Sequence, residues 1–177
     1  MRRTFPILML LVIFCLPAIS QENIKWYTFE EAIILNAKAP RPVFIDVYTD
    51  WCGWCKKMDK DTFTHPEIIS LMNTKYYPVK FNAETKDTID FKGVTFINPN
   101  PGQGRSAHQL AAALLQGKLS YPSTAFMNDK MELLTIVPGY MKPENLEPIL
   151  HYFGNGEYLK KDWDTFSAEF QSKITVK

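Results

Sequence analysis

The chain has 177 residues, of which 20 are Lys or Arg and 19 are Asp or Glu, so its net charge is +1. Proteins that bind nucleic acid or anionic lipid through charge carry a basic excess, and this chain lacks one, so we expect no nucleic-acid partner. The length and the hydrophobic content of 46% suit one domain with an adequate core.

Residues 1–20 have the pattern of a cleaved secretory signal peptide. Arg2-Arg3 precedes an apolar stretch over residues 5–16, and small residues lead to a cleavage site before Gln21. The alternative is an N-terminal membrane anchor. We expect cleavage, a mature domain of residues 21–177, a periplasmic or secreted location and no stable membrane insertion afterwards.

Cleavage would change both the charge and the cysteine content. Two arginines and no acids leave with residues 1–20, so the net charge becomes −1. Cys15 leaves as well, and Cys52 and Cys55 are then the only cysteines of the mature chain.

Apolar patterning, caps and breakers predict strands alternating with helices in the first half of the chain. Thr28 and Glu31 form a capping box, and residues 43–48 are apolar on both faces apart from Asp46, as in a central strand. The alternation implies parallel pairing and an α/β sandwich. In chain order we predict strand 24–27, helix 28–38, strand 43–48, helices 52–63 and 64–73, strands 76–81 and 94–97, helix 106–116, a hairpin of strands 124–127 and 133–137, and helices 143–153 and 157–170.

Cys52 and Cys55 stand three residues apart where the strand 43–48 gives way to a helix. In the first turn of a helix, residues at this spacing are close enough to form a disulfide without backbone movement. The positive end of the helix dipole and its free N–H groups also favour a thiolate there. The pattern therefore indicates redox chemistry.

Two other interpretations of the cysteine pair remain open. A structural disulfide is one, although a loop this short removes little entropy from the unfolded chain. A zinc site is the other, but zinc needs four ligands, and the sequence has no second pair at ligand spacing. We therefore expect no metal, and we expect the three histidines to be solvated at the surface: His65, His108 and His151.

Several separated motifs resemble those of the thioredoxin superfamily, over residues 24–153. The matching segments are Trp51-Cys52-Gly53-Trp54-Cys55-Lys56, Asp46, Lys80, Tyr121-Pro122-Ser123 and Gly139. The resemblance implies a thioredoxin fold, with a central mixed sheet flanked by helices on both faces. Residues 84–104 would be an insertion before the proline strand, and residues 154–177 a C-terminal helical extension.

The chain departs from the family pattern at two positions. Trp54 replaces the Pro of reducing thioredoxins and the His of many oxidases, so the usual dipeptide rule for redox direction does not apply. Ser123 replaces the common Thr, which is a small change.

The resemblance assigns catalytic roles to four residues. Cys52, at the exposed helix start, is the expected nucleophile, and Cys55, more enclosed, resolves the mixed disulfide. Asp46 matches a buried acid whose raised pKa suits it to accept the proton of Cys55, and Lys80 faces that acid. The alternative is that Asp46 and Lys80 form only a structural ion pair.

The expected substrate-binding residues surround the cysteine pair. Pro122 matches a cis proline opposite the cysteines, and the backbone of Tyr121 would be free to pair with an extended client. Trp51 and Trp54 would supply an apolar rim on either side of Gly53. By contrast, simple core packing suits Trp26 and Trp163.

These features predict a thiol–disulfide oxidoreductase that acts on protein thiols and disulfides in the reducing or electron-relay direction. It would need no cofactor beyond its own redox-active disulfide, and a membrane-bound thiol carrier would recharge it. The alternative is a binding module or chaperone with a locked disulfide. We expect the insertion to cover one side of the redox site, the alternative being a surface loop without a role.

Overall fold

The computed structural model describes residues 23–175. The predicted signal peptide, with Cys15 and the cleavage site before Gln21, lies outside these residues. Within the described range, no helix has the length and apolar character needed to cross a membrane. The elements are α1 Phe29–Lys38, β1 Val43–Tyr48, α2 Gly53–Asp61, α3 Pro66–Lys75, β2 Tyr77–Asn82, β3 Ile89–Phe91, β4 Val94–Phe96, α4 Gln109–Leu114, β5 Ser123–Met127, β6 Leu133–Pro138, α5 Pro143–Gly154, a 3₁₀ turn Glu157–Leu159 and α6 Trp163–Glu169.

The central sheet has the strand order β2-β1-β5-β6. Strands β1 and β2 are parallel, whereas β5 is antiparallel to both β1 and β6. The predicted mixed sheet, flanked by helices, is confirmed. The predicted hairpin of β5 and β6 is also confirmed, and a turn at Asn128 closes it, with Asn128 N–H donating to the Glu132 carbonyl.

The predicted strand 24–27 is wrong except at its last residue. Tyr27 forms a single parallel bridge with Val79. Before that bridge, the side chain of Asn73 accepts a hydrogen bond from Lys25 N–H and donates one to the carbonyl of Asn23. This side chain therefore satisfies backbone groups that a strand would have paired.

Three other predicted elements have different bounds or partners. Strand β4 pairs with β3, which the sequence did not reveal, in a separate two-stranded sheet within the predicted insertion. The predicted helix 106–116 begins only at Gln109, because His108 is its N-cap. The predicted helix 157–170 is divided into a 3₁₀ turn and α6.

Side-chain alternation along the strands divides the core into two layers. Val43, Ile45 and Val47 of β1 belong to the layer that includes α1 and α4, whereas Phe44 packs in the layer with α2, α3 and α5. Because successive side chains on a strand point to opposite faces, Asp46 lies on the face of Phe44. This alternation directs a carboxyl group toward α2.

The prediction that His108 is solvated is wrong, because its side chain is fully buried. Its Nδ1 accepts the N–H of Leu110 at 3.1 Å, so the ring proton lies on Nε2, which donates to the carbonyl of Asp87 at 3.0 Å. Phe81 packs edge-on against the ring. His108 thus caps α4 and ties it to the insertion.

The C-terminal extension is helical, as predicted, and it packs on α5. Phe166 of α6 is buried and contacts Tyr152 of α5. The fully buried carboxylate of Glu147 accepts hydrogen bonds from the Ser172 hydroxyl and from the backbone N–H groups of Lys173 and Ile174. One buried acid therefore anchors the last described residues to the domain.

Candidate redox site

Cys52 and Cys55 form a disulfide at the N-terminus of α2, with Cα atoms 5.3 Å apart. Cys52 is the N-cap, and its Sγ accepts the backbone N–H of Cys55 at 3.1 Å. This N–H is one of the donors that a helix leaves free in its first turn, and such donors stabilise a thiolate.

The exposure of the two cysteines differs from the prediction. The sequence predicts Cys52 at an exposed helix start and Cys55 in a more enclosed position. In the disulfide form the two residues are 4% and 3% exposed, so burial does not distinguish them. Their positions in the helix do distinguish them, because Sγ of Cys52, the N-cap, accepts a hydrogen bond from the backbone N–H of Cys55.

Asp46 and Lys80 lie beneath this helix as a direct ion pair. The two residues are register partners in the parallel strands β1 and β2, and Lys80 Nζ is 2.5 Å from Asp46 Oδ2. The other oxygen, Oδ1, is buried and has no hydrogen-bond partner among residues 23–175. One carboxylate oxygen is thus held and the other is free to take a proton.

Burial dominates the titration of Asp46. Desolvation raises its pKa above 3.8, although the positive charge of Lys80 and its hydrogen bond act in the opposite direction. For Lys80, burial acts to lower the pKa, but Asp46 and Asp59 outweigh burial and raise it above 10.5. Lys80 therefore stays charged, while Asp46 binds a proton more readily than an exposed aspartate.

Sequence reasoning missed Asp59 as the third member of this group. Asp59 stands four residues after Cys55 on α2, so both side chains lie on one face of the helix. Its carboxylate binds Lys80, and its negative charge contributes to the raised pKa of Asp46. The i, i+4 spacing from Cys55 was the available signal.

Aromatic rings enclose the ammonium group of Lys80. Its Nζ lies 5.0 Å from the ring centres of Trp26 and Phe63 and 5.1 Å from that of Tyr48. Trp26 also packs against Phe63 and Phe44, as expected for a core tryptophan. These rings cover much of the Lys80 side chain, which is 20% exposed, whereas that of Asp59 is 44% exposed.

The Tyr121–Pro122 peptide bond is cis, as the resemblance implied. The Pro122 carbonyl accepts the N–H of Gly139, so this loop is tied to the end of β6. Within the described part of the chain, the backbone N–H and carbonyl of Tyr121 have no hydrogen-bond partner. Burial, with a contribution from the charge of Glu84, raises the pKa of the Tyr121 phenol.

Trp51 stands on one side of the disulfide and is 47% exposed. Its Nε1–H donates to Glu84 Oε1 at 2.9 Å, and the guanidinium of Arg105 lies 4.1 Å from its ring centre. Tyr121 packs edge-on against the indole, with centroids 6.0 Å apart. The insertion therefore contacts the residue that precedes Cys52.

Trp54 stands between the two cysteines and is 60% exposed. Its ring lies 5.5 Å from that of Tyr140, whose hydroxyl donates to Asp61. Gly53 beside it is exposed, and a Cβ at that position would have no contact within 4 Å. Trp51 and Trp54 thus expose aromatic surface at the predicted rim.

Trp163 is more exposed than predicted. It is 38% exposed, although one face packs against Tyr152 of α5. Its surface position follows from its place at the start of α6, on the outside of the domain.

One group of side chains among residues 23–175 has the spacing of a metal site. Ligand atoms of Glu67, Glu147 and His151 all lie within 4.8 Å of one another. Glu147 is already engaged by Ser172 and the tail backbone, and burial lowers the pKa of His151. The group is explained by its role in anchoring the C-terminal extension.

Comparison with known families agrees with the fold. The family model Thioredox_DsbH, described as a protein of unknown function, DUF255, matches residues 15–173. The chain belongs to the Thioredox_DsbH family. The assignment to the thioredoxin superfamily, with its disulfide oxidoreductases, is therefore confirmed.

Individual relatives of this Thioredox_DsbH member match over shorter segments. Human spermatogenesis-associated protein 20 is 28% identical over 82 residues, which are 46% of this chain and 10% of that protein. The thiol:disulfide interchange protein DsbD of Pectobacterium atrosepticum is 50% identical over 32 residues, 18% of this chain and 6% of that protein. The matched part thus spans about a tenth or less of these relatives' length.

A solved structure shows the same fold. A thioredoxin from Thermus thermophilus superposes with a TM-score of 0.56 at 16% identity, covering 80% of this chain and 99% of that one.

Proposed function

We propose that this protein exchanges disulfides with protein substrates through Cys52 and Cys55. The observation that carries the proposal is a disulfide at the N-terminus of α2, the helix whose Asp59 binds the same lysine as a buried carboxylate with one free oxygen. A structural disulfide gains nothing from such a carboxylate, whereas thiol exchange needs a proton acceptor.

The exchange proceeds in two steps, attack on the client disulfide by Cys52 and resolution of the mixed disulfide by Cys55. The Cys52 thiolate attacks one sulfur of a client disulfide, the client S–S bond breaks, and the second client sulfur leaves as a thiolate. Cys55 then loses its proton and attacks Cys52, which releases the first client sulfur. The client gains two electrons and becomes a dithiol, while Cys52 and Cys55 become a disulfide.

Asp46 is the proposed proton acceptor for Cys55. It lies on the sheet face that α2 covers, and Asp59, which shares a helix face with Cys55, binds the same lysine as Asp46. Because burial raises the pKa of Asp46, its carboxylate is a better proton acceptor than that of an exposed aspartate. Lys80 holds the carboxylate by its other oxygen.

Clients bind at the rim of the disulfide. The unpaired backbone groups of Tyr121 can pair with an extended segment, which recognises backbone rather than sequence. Trp51 and Trp54 offer aromatic surface beside that segment. Protein thiols and disulfides are therefore the proposed partners.

We assign the reducing or electron-relay direction. A strong oxidant needs a strongly stabilised thiolate, and Trp54 offers an indole where an imidazolium would supply positive charge. The DsbD relatives are thiol:disulfide interchange proteins, which supports disulfide exchange by this chain. We propose a membrane-bound thiol carrier as its electron donor, because the sequence has no flavin or nicotinamide motif of its own. We propose that the Cys52–Cys55 disulfide suffices as the redox group.

A periplasmic or secreted location is part of the proposal and rests on residues 1–20 alone. Intact mass of exported protein should give a chain that begins at or near Gln21 and lacks Cys15. A chain that retains residues 5–16 would instead indicate an anchored form.

One observation favours a second candidate, a binding module with a locked disulfide. Both cysteines are almost completely buried in the disulfide form, which would protect the bond from attack. Reduction of insulin by dithiothreitol separates the two candidates. Catalysis by the wild type, and none by a variant with both cysteines replaced by Ser, supports exchange. No acceleration by the wild type would favour the binding module.

A further inference from the structure

The insertion fixes an aromatic side chain beside the nucleophile. Trp51 directly precedes Cys52, and nearly half of its surface is exposed. An exposed tryptophan without partners would sample several rotamers, but this one is held by a hydrogen bond from Nε1 to Glu84 and by the guanidinium of Arg105 over its ring. We call Glu84 and Arg105 the Trp51 clamp.

The two clamp residues come from opposite ends of the insertion. Glu84 is its first residue, and Arg105 follows its last, yet both reach the same indole. The buried side chain of Asn98 joins these ends. Its amide donates to the carbonyls of Glu84 and Ser106, and its Oδ1 accepts the Ser106 hydroxyl.

The sheet also restrains the clamp. Glu84 N–H donates to the side chain of Asn82 at 2.9 Å, at the end of β2. Glu84 is therefore held by its backbone on both sides, from β2 and from Asn98. Its carboxylate is then available to orient Trp51.

Stability does not account for this arrangement. A cation over an exposed ring and a hydrogen bond at the surface each add little to folding. Their common effect is to set the direction of the indole next to Tyr121, whose backbone groups are unpaired. A polypeptide lying along Tyr121 would meet the indole, whereas a small disulfide needs only the sulfur of Cys52.

We propose that Glu84 and Arg105 are positioning residues that make the site prefer polypeptide disulfides over small ones. They act through Trp51 by holding it ready to contact the client, so the client does not bear the entropy cost of ordering that side chain. The proposal rests on the proposed exchange activity and adds the residues that determine its substrate class.

Steady-state reduction of insulin and of oxidised glutathione tests the proposal. In Glu84→Ala and in Arg105→Ala, we expect the KM for insulin to rise about two- to five-fold with kcat little changed, as loss of one surface hydrogen bond or one cation–π contact would give. The rate with oxidised glutathione should stay within two-fold of wild type. Glu84→Gln keeps an acceptor oxygen for the indole and should resemble wild type.

Two controls make the test specific. Lys92→Ala removes an exposed cation from the same insertion, where it contacts Phe91 rather than Trp51, and should have no effect. In a Trp51→Phe background, which removes the indole N–H, Glu84→Ala should not raise the KM for insulin any further. This loss of effect would identify Trp51 as the residue through which Glu84 acts.

Several outcomes would overturn the proposal. One is that the alanine variants lose activity equally toward insulin and oxidised glutathione, which would mean that the Trp51 clamp acts on Cys52 itself. Another is an unchanged KM for insulin in both alanine variants. A third is that Glu84→Ala raises the KM for insulin in the Trp51→Phe background as much as it does in the wild type. Failure of the wild type to reduce either disulfide would instead reject the proposed exchange activity.

Discussion

The ammonium group of Lys80 lies 2.5 Å from Oδ2 of Asp46, its register partner in the central sheet. Lys80 does not fully neutralise Asp46, because it also binds Asp59 and so shares one positive charge between two carboxylates. Burial then raises the pKa of Asp46 despite its cationic neighbour. The arrangement keeps a buried acid that can hold a proton.

Asp46→Asn should slow the resolution step. The amide cannot accept the proton of Cys55, and general base catalysis is typically worth about 100-fold or more. The loss should be largest near neutral pH and smaller at alkaline pH, where hydroxide removes the proton. Stopped-flow release of a client from its mixed disulfide measures the step, and a rate unchanged across pH would leave Asp46 as a structural acid.

The same substitution should alter the pH dependence of stability. Because the pKa of Asp46 is raised in the folded protein, the folded chain binds this proton more tightly than the unfolded chain does. The wild-type free energy of unfolding therefore falls as pH rises from the unfolded pKa of Asp46 through its folded pKa. The fall is about 1.4 kcal/mol for each pH unit that separates the two pKa values.

In Asp46→Asn the side chain has no proton to lose in this pH range, so the free energy of unfolding does not fall for this reason. The stability of the variant relative to wild type should therefore increase with pH across this window, as measured by urea unfolding at a series of pH values. Lys80 keeps its pair with Asp59 in the variant, so the comparison does not leave it unpaired. A relative stability that declines with pH would contradict the raised pKa.

Asp59→Asn should shift the pH profile of the resolution step to lower pH. The negative charge of Asp59 helps to raise the pKa of Asp46, and its removal leaves Lys80 to Asp46 alone. Asp164→Asn removes an exposed acid from α6 and serves as the control with the same change in charge. If both variants give the wild-type profile, Asp59 has no influence on the site.

The two cysteines should differ in their trapping of clients. Cys55→Ser keeps the attacking sulfur at the helix N-cap and loses the resolving one, so mixed disulfides should accumulate. Cys52→Ser should trap almost none. Non-reducing electrophoresis of exported protein measures this, and alkylation of Cys55 before Cys52 at mildly acidic pH would reverse the two roles.

The sequence predicted the local features of the site better than its tertiary contacts. Strand β1 and the placement of Cys52 at a helix start follow from apolar runs and caps, which act over a few residues. Asp59 reaches Lys80 only because α2 packs across the sheet, and Arg105 meets Trp51 only because the insertion folds back. Such contacts depend on distant parts of the chain, so no local pattern carried them.

The burial of His108 was equally hard to predict from the sequence. A lone histidine carries no periodic signal, and its full burial follows from its packing against Phe81 and its bond to Asp87. His108→Ala should lower the free energy of unfolding by about 1 kcal/mol or more through loss of the α4 cap. His108→Asn, which can keep the bond to Leu110 N–H, should lose less. Equal losses in urea unfolding would show that the cap bond contributes little.

The reduction potential of the Cys52–Cys55 pair tests the central claim most directly. Equilibration of the purified protein with glutathione buffers, followed by alkylation and mass measurement, gives the reduced fraction at each ratio. We predict reversible exchange with a potential toward the thioredoxin value of about −270 mV. A disulfide that fails to exchange, or a potential near the strongly oxidising value of about −120 mV, would contradict the account.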